Sequence, residues 1–105
     1  MNFLTTSAVI DSVVLAEVCK QETYGYVLTQ SVTKVLGISE STLYPALRRL
    51  QKDGLLETFD QTENGRNRRY YKITAGGRAK FKEYLSCWSE IKSKLDEIYG
   101  GVCDE

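Results

Sequence analysis

Ser41-Thr42-Leu43-Tyr44-Pro45-Ala46-Leu47-Arg48-Arg49-Leu50, then Gly54-Leu55-Leu56, then Asn64-Gly65-Arg66-Asn67-Arg68-Arg69-Tyr70-Tyr71 are the blocks on which the reading of this chain turns. On a wheel of about 3.6 residues per turn, Leu43, Leu47 and Leu50 share one face and must point into a core. Ser41, Pro45, Arg48 and Lys52 fall opposite, with Thr42, Tyr44 and Arg49 on the flanks. The first block is therefore an amphipathic helix with a basic outer face, capped by Ser39 or Ser41, whose hydroxyls can accept from free N–H groups. Pro45 cannot donate to the Ser41 carbonyl, which places it near the start of the helix. Gly54 ends it, and Leu55-Leu56-Glu57-Thr58-Phe59 begins a strand. Residues 61–65 are turn-like, and Asn64-Gly65 is the strongest hairpin signal in the chain. Residues 68–73 return as the second strand. A helix followed by a basic hairpin predicts a winged helix-turn-helix, with the helix in the major groove of DNA and the wing on the backbone.

Upstream, Ile10, Val13, Val14, Ala16 and Val18 are crowded among Asp11, Glu17 and Lys20, which predicts a largely buried helix from about Ser7 to Lys20. Tyr24-Gly25-Tyr26 opens a second helix to about Leu36, with Val27, Leu28, Val32, Val35 and Leu36 on its apolar face. Gly37 is placed to stop it in the left-handed conformation, and Gly25 to allow close backbone packing. Downstream, Thr74 and Ala75-Gly76-Gly77 lead into a last helix to about Tyr99, ended by Gly100-Gly101. In it Phe81, Tyr84, Trp88, Ile91, Leu95 and Ile98 recur at alternating spacings of three and four, an a/d seam. A lone terminal helix needs something to bury that seam. The predicted class is α+β and mostly α. Residues 1–74 form the winged helix-turn-helix, and residues 75–105 form a dimerisation helix with a short acidic tail.

The formal net charge is zero, but its distribution is not even. Residues 1–33 hold one Lys against three acids, residues 34–72 hold eight Lys and Arg against five acids, and residues 73–105 hold five against six. The positive charge coincides with the helix and hairpin, and local potential governs binding more than net charge. Three widely spaced cysteines (Cys19, Cys87, Cys103) fit neither a disulfide framework nor a metal pair, and read as free thiols in a reducing cytoplasm. With no histidine, a zinc site would need cysteines and carboxylates alone. No cofactor is expected. No run approaches the roughly 18 apolar residues of a membrane span, and the N-terminus lacks the pattern of a signal peptide. No nucleophile–base pair or phosphate loop argues for an enzyme.

Phosphates supply affinity for DNA and base edges supply specificity. Ser41 and Thr42, at the helix N-terminus, suit a phosphate. Arg48, with its bidentate fork, is the candidate for reading guanine, and Lys52 is a further contact. Tyr44 either packs a sugar or thymine methyl, or covers the hairpin. Arg66, Arg68 and Arg69, helped by Lys72, serve the wing. Strand alternation puts Arg66 and Arg68 on one face and Arg69 on the other, where an ion pair across the strands is an equal reading. The competing function is a winged-helix protein–protein module that does not read DNA sequence.

Together these blocks, with Tyr24-Gly25-Tyr26 and Ile73-Thr74-Ala75-Gly76-Gly77, resemble the PadR family of bacterial transcriptional regulators in order and spacing, over roughly residues 10–80. The resemblance implies a repressor that dimerises through a single C-terminal helix and binds a pseudo-palindromic operator in double-stranded DNA. Family members often respond to small aromatic molecules. On that analogy Trp88, with Tyr84 and Ile91, either lines a pocket for a flat effector or fills the dimer interface.

Overall fold

The computed structural model describes residues 6–102. Cys103 and the acidic residues that follow lie outside them. Four helices and a three-stranded antiparallel sheet follow in the order α1 (Ser7–Lys20), β1 (Thr23–Tyr24), α2 (Gly25–Leu36), α3 (Glu40–Lys52), β2 (Leu56–Glu63), β3 (Arg66–Ile73) and α4 (Ala75–Gly100). The expected α+β, mostly helical winged helix is what forms.

The core is aliphatic. Val14, Leu15 and Val18 of α1 meet Leu28, Val32 and Leu36 of α2, Leu43, Ala46, Leu47 and Leu50 of α3, and Leu56 and Ile73 from the base of the hairpin. α1 runs through the middle, which is why its apolar residues are spread around its circumference. Gly37 closes α2 in the left-handed conformation, its N–H donating to the Thr33 carbonyl. Of the two serines considered for the α3 cap, Ser39 takes the position, its Oγ accepting from the Thr42 N–H at 3.2 Å.

The hairpin is longer than expected. Both strands continue to the two-residue turn, so that Glu63 pairs with Arg66 and residues 61–63 belong to β2 instead of a polar loop. Asn64 and Gly65 both carry positive φ, 51° and 77°. That is the turn whose twist matches the flanking strands, and it demands residues that tolerate a left-handed backbone. The polar composition of 61–63 marks two exposed faces of a strand and not a loop. Tyr24 also departs from expectation: with Thr23 it forms the two-residue β1, paired with Tyr70 and Tyr71, and α2 starts one residue later. A strand this short leaves no periodic trace.

The sequence predicts close packing at Gly25, but a Cβ there would lie 3.5 Å from the Tyr71 ring, an ordinary contact. The forced approach is at Gly77. A Cβ at that position would lie 2.1 Å from the Leu55 carbonyl oxygen and 2.6 Å from Ile73 Cγ1. Only a hydrogen fits. Thr74 adds the polar half of the same joint. Its Oγ1 accepts from the Gly77 N–H at 2.9 Å, capping α4, and donates to the Gly54 carbonyl at 2.6 Å.

From this joint α4 projects outward. The Cα radius of gyration is 16.5 Å, against about 13 Å for a compact chain of this length. The longest principal extent is 62 Å.

These geometries give opposite outcomes for two glycine-to-alanine changes. Gly77→Ala should cost roughly 3 kcal/mol or more, the upper range of overpacking, because backbone and not a flexible side chain must move. Gly25→Ala should leave stability within about 1 kcal/mol of the parent. Urea denaturation of both variants measures the contrast.

Candidate nucleic-acid interface

Every side chain expected on the outer face of α3 is on the surface. Ser41, Thr42, Tyr44, Pro45, Arg48 and Lys52 are exposed, while Leu43, Ala46, Leu47 and Leu50 are buried. At the N-terminus three hydroxyls gather: Ser39 Oγ lies 2.9 Å from Ser41 Oγ and 3.0 Å from Thr42 Oγ1. Together with free N–H groups of the first turn they present donors to an anion. Tyr44 is exposed, and its hydroxyl donates to Glu40 Oε1 one turn back at 3.0 Å. That bond, with the Glu40 charge, holds the phenol above its ordinary range. Arg48 and Lys52 make no side-chain hydrogen bond or ion pair among the described residues, so their charges are free for a ligand.

The wing separates its arginines by face. Arg66 and Arg68 alternate with Arg69, as expected. The face of β2 and β3 that carries Leu56 and Ile73 into the core continues outward as Thr58, Asp60, Tyr71 and Arg69. Gln51 of α3 donates to Thr58 on that face at 3.4 Å, so it is the face turned to the helix. There Arg69 Nε lies 3.5 Å from Asp60 Oδ1, with both side chains about half exposed or more, 64% and 49%. Solvent screens such a pair.

On the opposite face Arg68 lies over the Tyr24 ring, 4.6 Å from its centroid. Tyr24, Tyr70 and Phe59 form a row with centroids 5.8 and 5.4 Å apart, and Tyr70 donates to Glu63. The row stiffens the hairpin and fixes the stem of Arg68. The Arg66 side chain, beside the turn, makes no hydrogen bond or ion pair among the described residues, and Lys72 is exposed.

A residue counted as a flank in the sequence has a different role here. Arg49 turns inward and grips Asp11 of α1 with both arms, Nη1 to Oδ2 at 2.7 Å and Nη2 to Oδ1 at 2.8 Å. Nη2 also donates to Ser7 Oγ at 3.2 Å. The guanidinium is thereby held still more firmly charged than usual, chiefly by the hydrogen bonds to Asp11. Beside this pair a cleft of about 280 Å3 separates α1 from α3, lined by Ser7, Ile10, Thr42, Pro45, Ala46 and Arg49.

The a/d seam of α4 divides in two. Phe81 and Tyr84 are half-buried and pack on the core. Beyond them Trp88 (62% exposed), Ile91, Leu95 and Ile98 stand in solvent, joined by Leu85 and Tyr99. The core contact of Phe81 and Tyr84, three residues apart, obeys the same spacing as the exposed stripe, so the pattern alone does not separate them.

With this geometry in place, residues 14–83 match the PadR-like family of transcriptional regulators. The chain belongs to that family. A transcriptional regulator of Mycobacterium tuberculosis is 36% identical over 84% of this chain and 80% of its own length. Among solved structures, a Streptococcus mutans protein is 35% identical, with TM-score 0.85, covering 100% of this chain and 99% of the other. A PadR-like transcriptional regulator from Bacillus cereus is 29% identical, with TM-score 0.80, covering 90% and 94%. Members of this PadR family are transcriptional regulators and not enzymes. No helix of the described residues is long and apolar enough to cross a membrane.

Tyr84 provides a check on the interior of the site. Its pKa lies above the ordinary value of 10.0, first through burial, then through the Asp11 charge and the hydrogen bond to it, with Arg49 opposing. The neutral phenol is the bonded form. Its contribution to stability is therefore complete below pH 10 and lost as pH rises through the raised folded pKa. In a near-ultraviolet absorbance titration Tyr84→Phe should remove one phenol from the group that ionises above the ordinary range.

Proposed function

We propose that this PadR-family chain is a homodimeric, sequence-specific DNA-binding repressor of the cytoplasm. α3 enters the major groove and the wing tip lies on the backbone. The observation that carries this reading is the pair of unpartnered cations on the outer face of α3, Arg48 and Lys52, beside a hydroxyl-rich helix N-terminus. Arg48 and Lys52 share one helix face, and the stretch that contains them and the wing, residues 34–72, holds eight Lys and Arg against five acids, a local balance that favours a polyanion. In this reading Arg48 reads a base edge, Ser41, Thr42 and Lys52 hold phosphates, and Arg66 and Arg68 hold the flanking backbone. Tyr44 joins them once released from Glu40. Arg69, paired to Asp60 at a screened distance, is left as a secondary contact.

Residues 1–74 serve DNA and residues 75–105 serve dimerisation in this division of labour. The support for a dimer is the stripe of Leu85, Trp88, Ile91, Leu95 and Ile98, which is large for a monomer to leave in water. A twofold pair would present two α3 helices to half-sites about one helical turn apart, and so a pseudo-palindrome. Trp88 stands in the middle of the stripe, where two copies would bring two indoles towards the axis, and a flat aromatic effector fits between such faces.

Selection of duplexes from a random pool at two salt concentrations tests the reading. Enrichment of a pseudo-palindrome, with affinity falling steeply as salt rises, is the expected result. Recovery of no motif at either salt would overturn it in favour of a protein–protein module. On the selected duplex Arg48→Ala should cost about 1–3 kcal/mol and relax the preference at one position per half-site. Arg66→Ala should weaken all duplexes alike and lower the salt slope by about one.

Ile91 is half exposed in the protomer, so Ile91→Glu should leave the fold intact and yield monomers by sedimentation. A variant that sediments as a dimer would remove α4 from the interface.

A further inference from the structure

Asp11 is the point at which three helices meet through polar bonds. It is buried at 5% relative exposure. Its Oδ2 accepts from Arg49 Nη1 of α3 at 2.7 Å and from the Tyr84 hydroxyl of α4 at 3.3 Å, while Oδ1 accepts from Arg49 Nη2 at 2.8 Å. We propose that Asp11 is a positioning residue for α3, loaded by Tyr84, so that the tilt of α4 sets how firmly α3 is seated. This rests on the reading of α3 as the DNA-reading helix and adds a regulatory route to it.

The mechanical argument follows from where α4 is held. Gly77 pins its start against Leu55 and Ile73, where no Cβ could fit. Phe81 and Tyr84 rest on the core, and from Leu85 onward the helix is exposed. It is a lever with its pivot at Gly77 and its outermost polar contact with another element at Tyr84. At about 1.5 Å rise per residue, Tyr84 lies about 10 Å from the pivot and Ile98 about 31 Å. A sideways shift of about 3 Å at Ile98 becomes about 1 Å at Tyr84, enough to part a hydrogen bond of this length. Whatever repacks the outer stripe therefore acts on Asp11 before it acts on anything else in the core.

Arg49 carries the effect into α3. A bidentate guanidinium–carboxylate pair is directional, so its two arms fix the rotation of α3 as well as its distance from α1. Arg48, the preceding residue, points outward from the same turn. A change in α3 rotation moves the Arg48 fork relative to anything it reads. Loss of the Tyr84 bond also leaves Oδ2 one donor short in a buried site, which weakens the hold of Asp11 on the arginine.

Coupling of this kind is reciprocal and is read by crossed perturbations. The measurements are amide hydrogen exchange on the DNA-free full chain and affinity for the duplex selected by the parent protein, at concentrations where the parent and each variant sediment as one species. Tyr84→Phe keeps the ring and removes the donor. It should speed exchange in residues 46–52 of α3 and weaken the selected duplex, each by about 3- to 10-fold. Arg49→Lys keeps the charge and loses the fork. It should speed exchange in residues 84–88 of α4 to a similar degree. The double variant should be no worse than the more affected single one.

Arg78→Ala is the control. Arg78 joins α4 to α1 through Cys19 Sγ at 3.3 Å, away from Asp11, and its loss should leave α3 exchange unchanged. Effects confined to the helix that carries each substitution, or an α3 response to Arg78→Ala equal to that of Tyr84→Phe, would overturn the proposal. Crossed exchange effects in a protein that selects no duplex would keep the joint and overturn the DNA reading instead. A duplex bound equally well by the parent and Tyr84→Phe would do the reverse.

Discussion

Between Gly77 and Leu55 two segments of backbone come closer than any side chain allows, and most of the molecule is arranged around that approach. Leu55 leaves the end of α3 and starts the hairpin, and Gly77 lies in the first turn of α4. Holding them together places α3, the wing and the projecting helix in one fixed relation. The Thr74 hydroxyl completes the joint by bridging the Gly54 carbonyl and the Gly77 N–H. The residues Gly54-Leu55 and Thr74-Ala75-Gly76-Gly77, separated in sequence by the whole hairpin, are thus one structural unit. Their job is to close the hairpin's base so that its tip can be long.

That length has a consequence for charge. Two eight-residue strands carry Arg66 away from the core, where its field is not offset by the acids of α1 and α4. The chain is neutral overall, yet residues 34–72 hold eight Lys and Arg against five acids, and Arg48, Lys52, Arg66 and Lys72 in that stretch make no side-chain ion pair among the described residues. The acids in the same stretch are partly consumed locally. Glu40 holds Tyr44, Asp60 pairs with Arg69 and Glu63 accepts from Tyr70. Neutrality in the sum therefore coexists with a positive working edge, which is the electrostatic requirement for approaching a polyanion.

Much of this was legible in residue pattern. Asn64-Gly65 located the turn because few other residues tolerate two left-handed positions in a row, and the leucine spacing of α3 oriented its outer face. Three features were not legible, each for a physical reason. β1 is two residues long, too short for a period to show. The polar run 61–63 reads as a loop because an exposed strand has no apolar face to reveal it. Asp11 reads as one of three polar residues on a crowded helix, although it shares a stripe with Val14, Leu15 and Val18 at spacings of three, four and seven. An acid on a buried stripe is a sign that a cation must be waiting there, and the partner came from α3, where Arg49 sits 38 residues away in sequence.

The same limit explains the divided seam of α4. Heptad spacing reports which side of a helix is apolar, and it carries no information about what covers that side. Here the first turns use it against the helix's own domain and the later turns leave it open. The boundary falls at Tyr84, the residue whose hydroxyl reaches Asp11. A single apolar stripe therefore packs on the core in its first turns and stays exposed in its later ones, and the polar bond lies at the boundary. Sequence periodicity runs through that boundary without a mark. A ligand or partner acting on the outer stripe would meet the fold first at the one position where α4 is bonded to the network that seats α3.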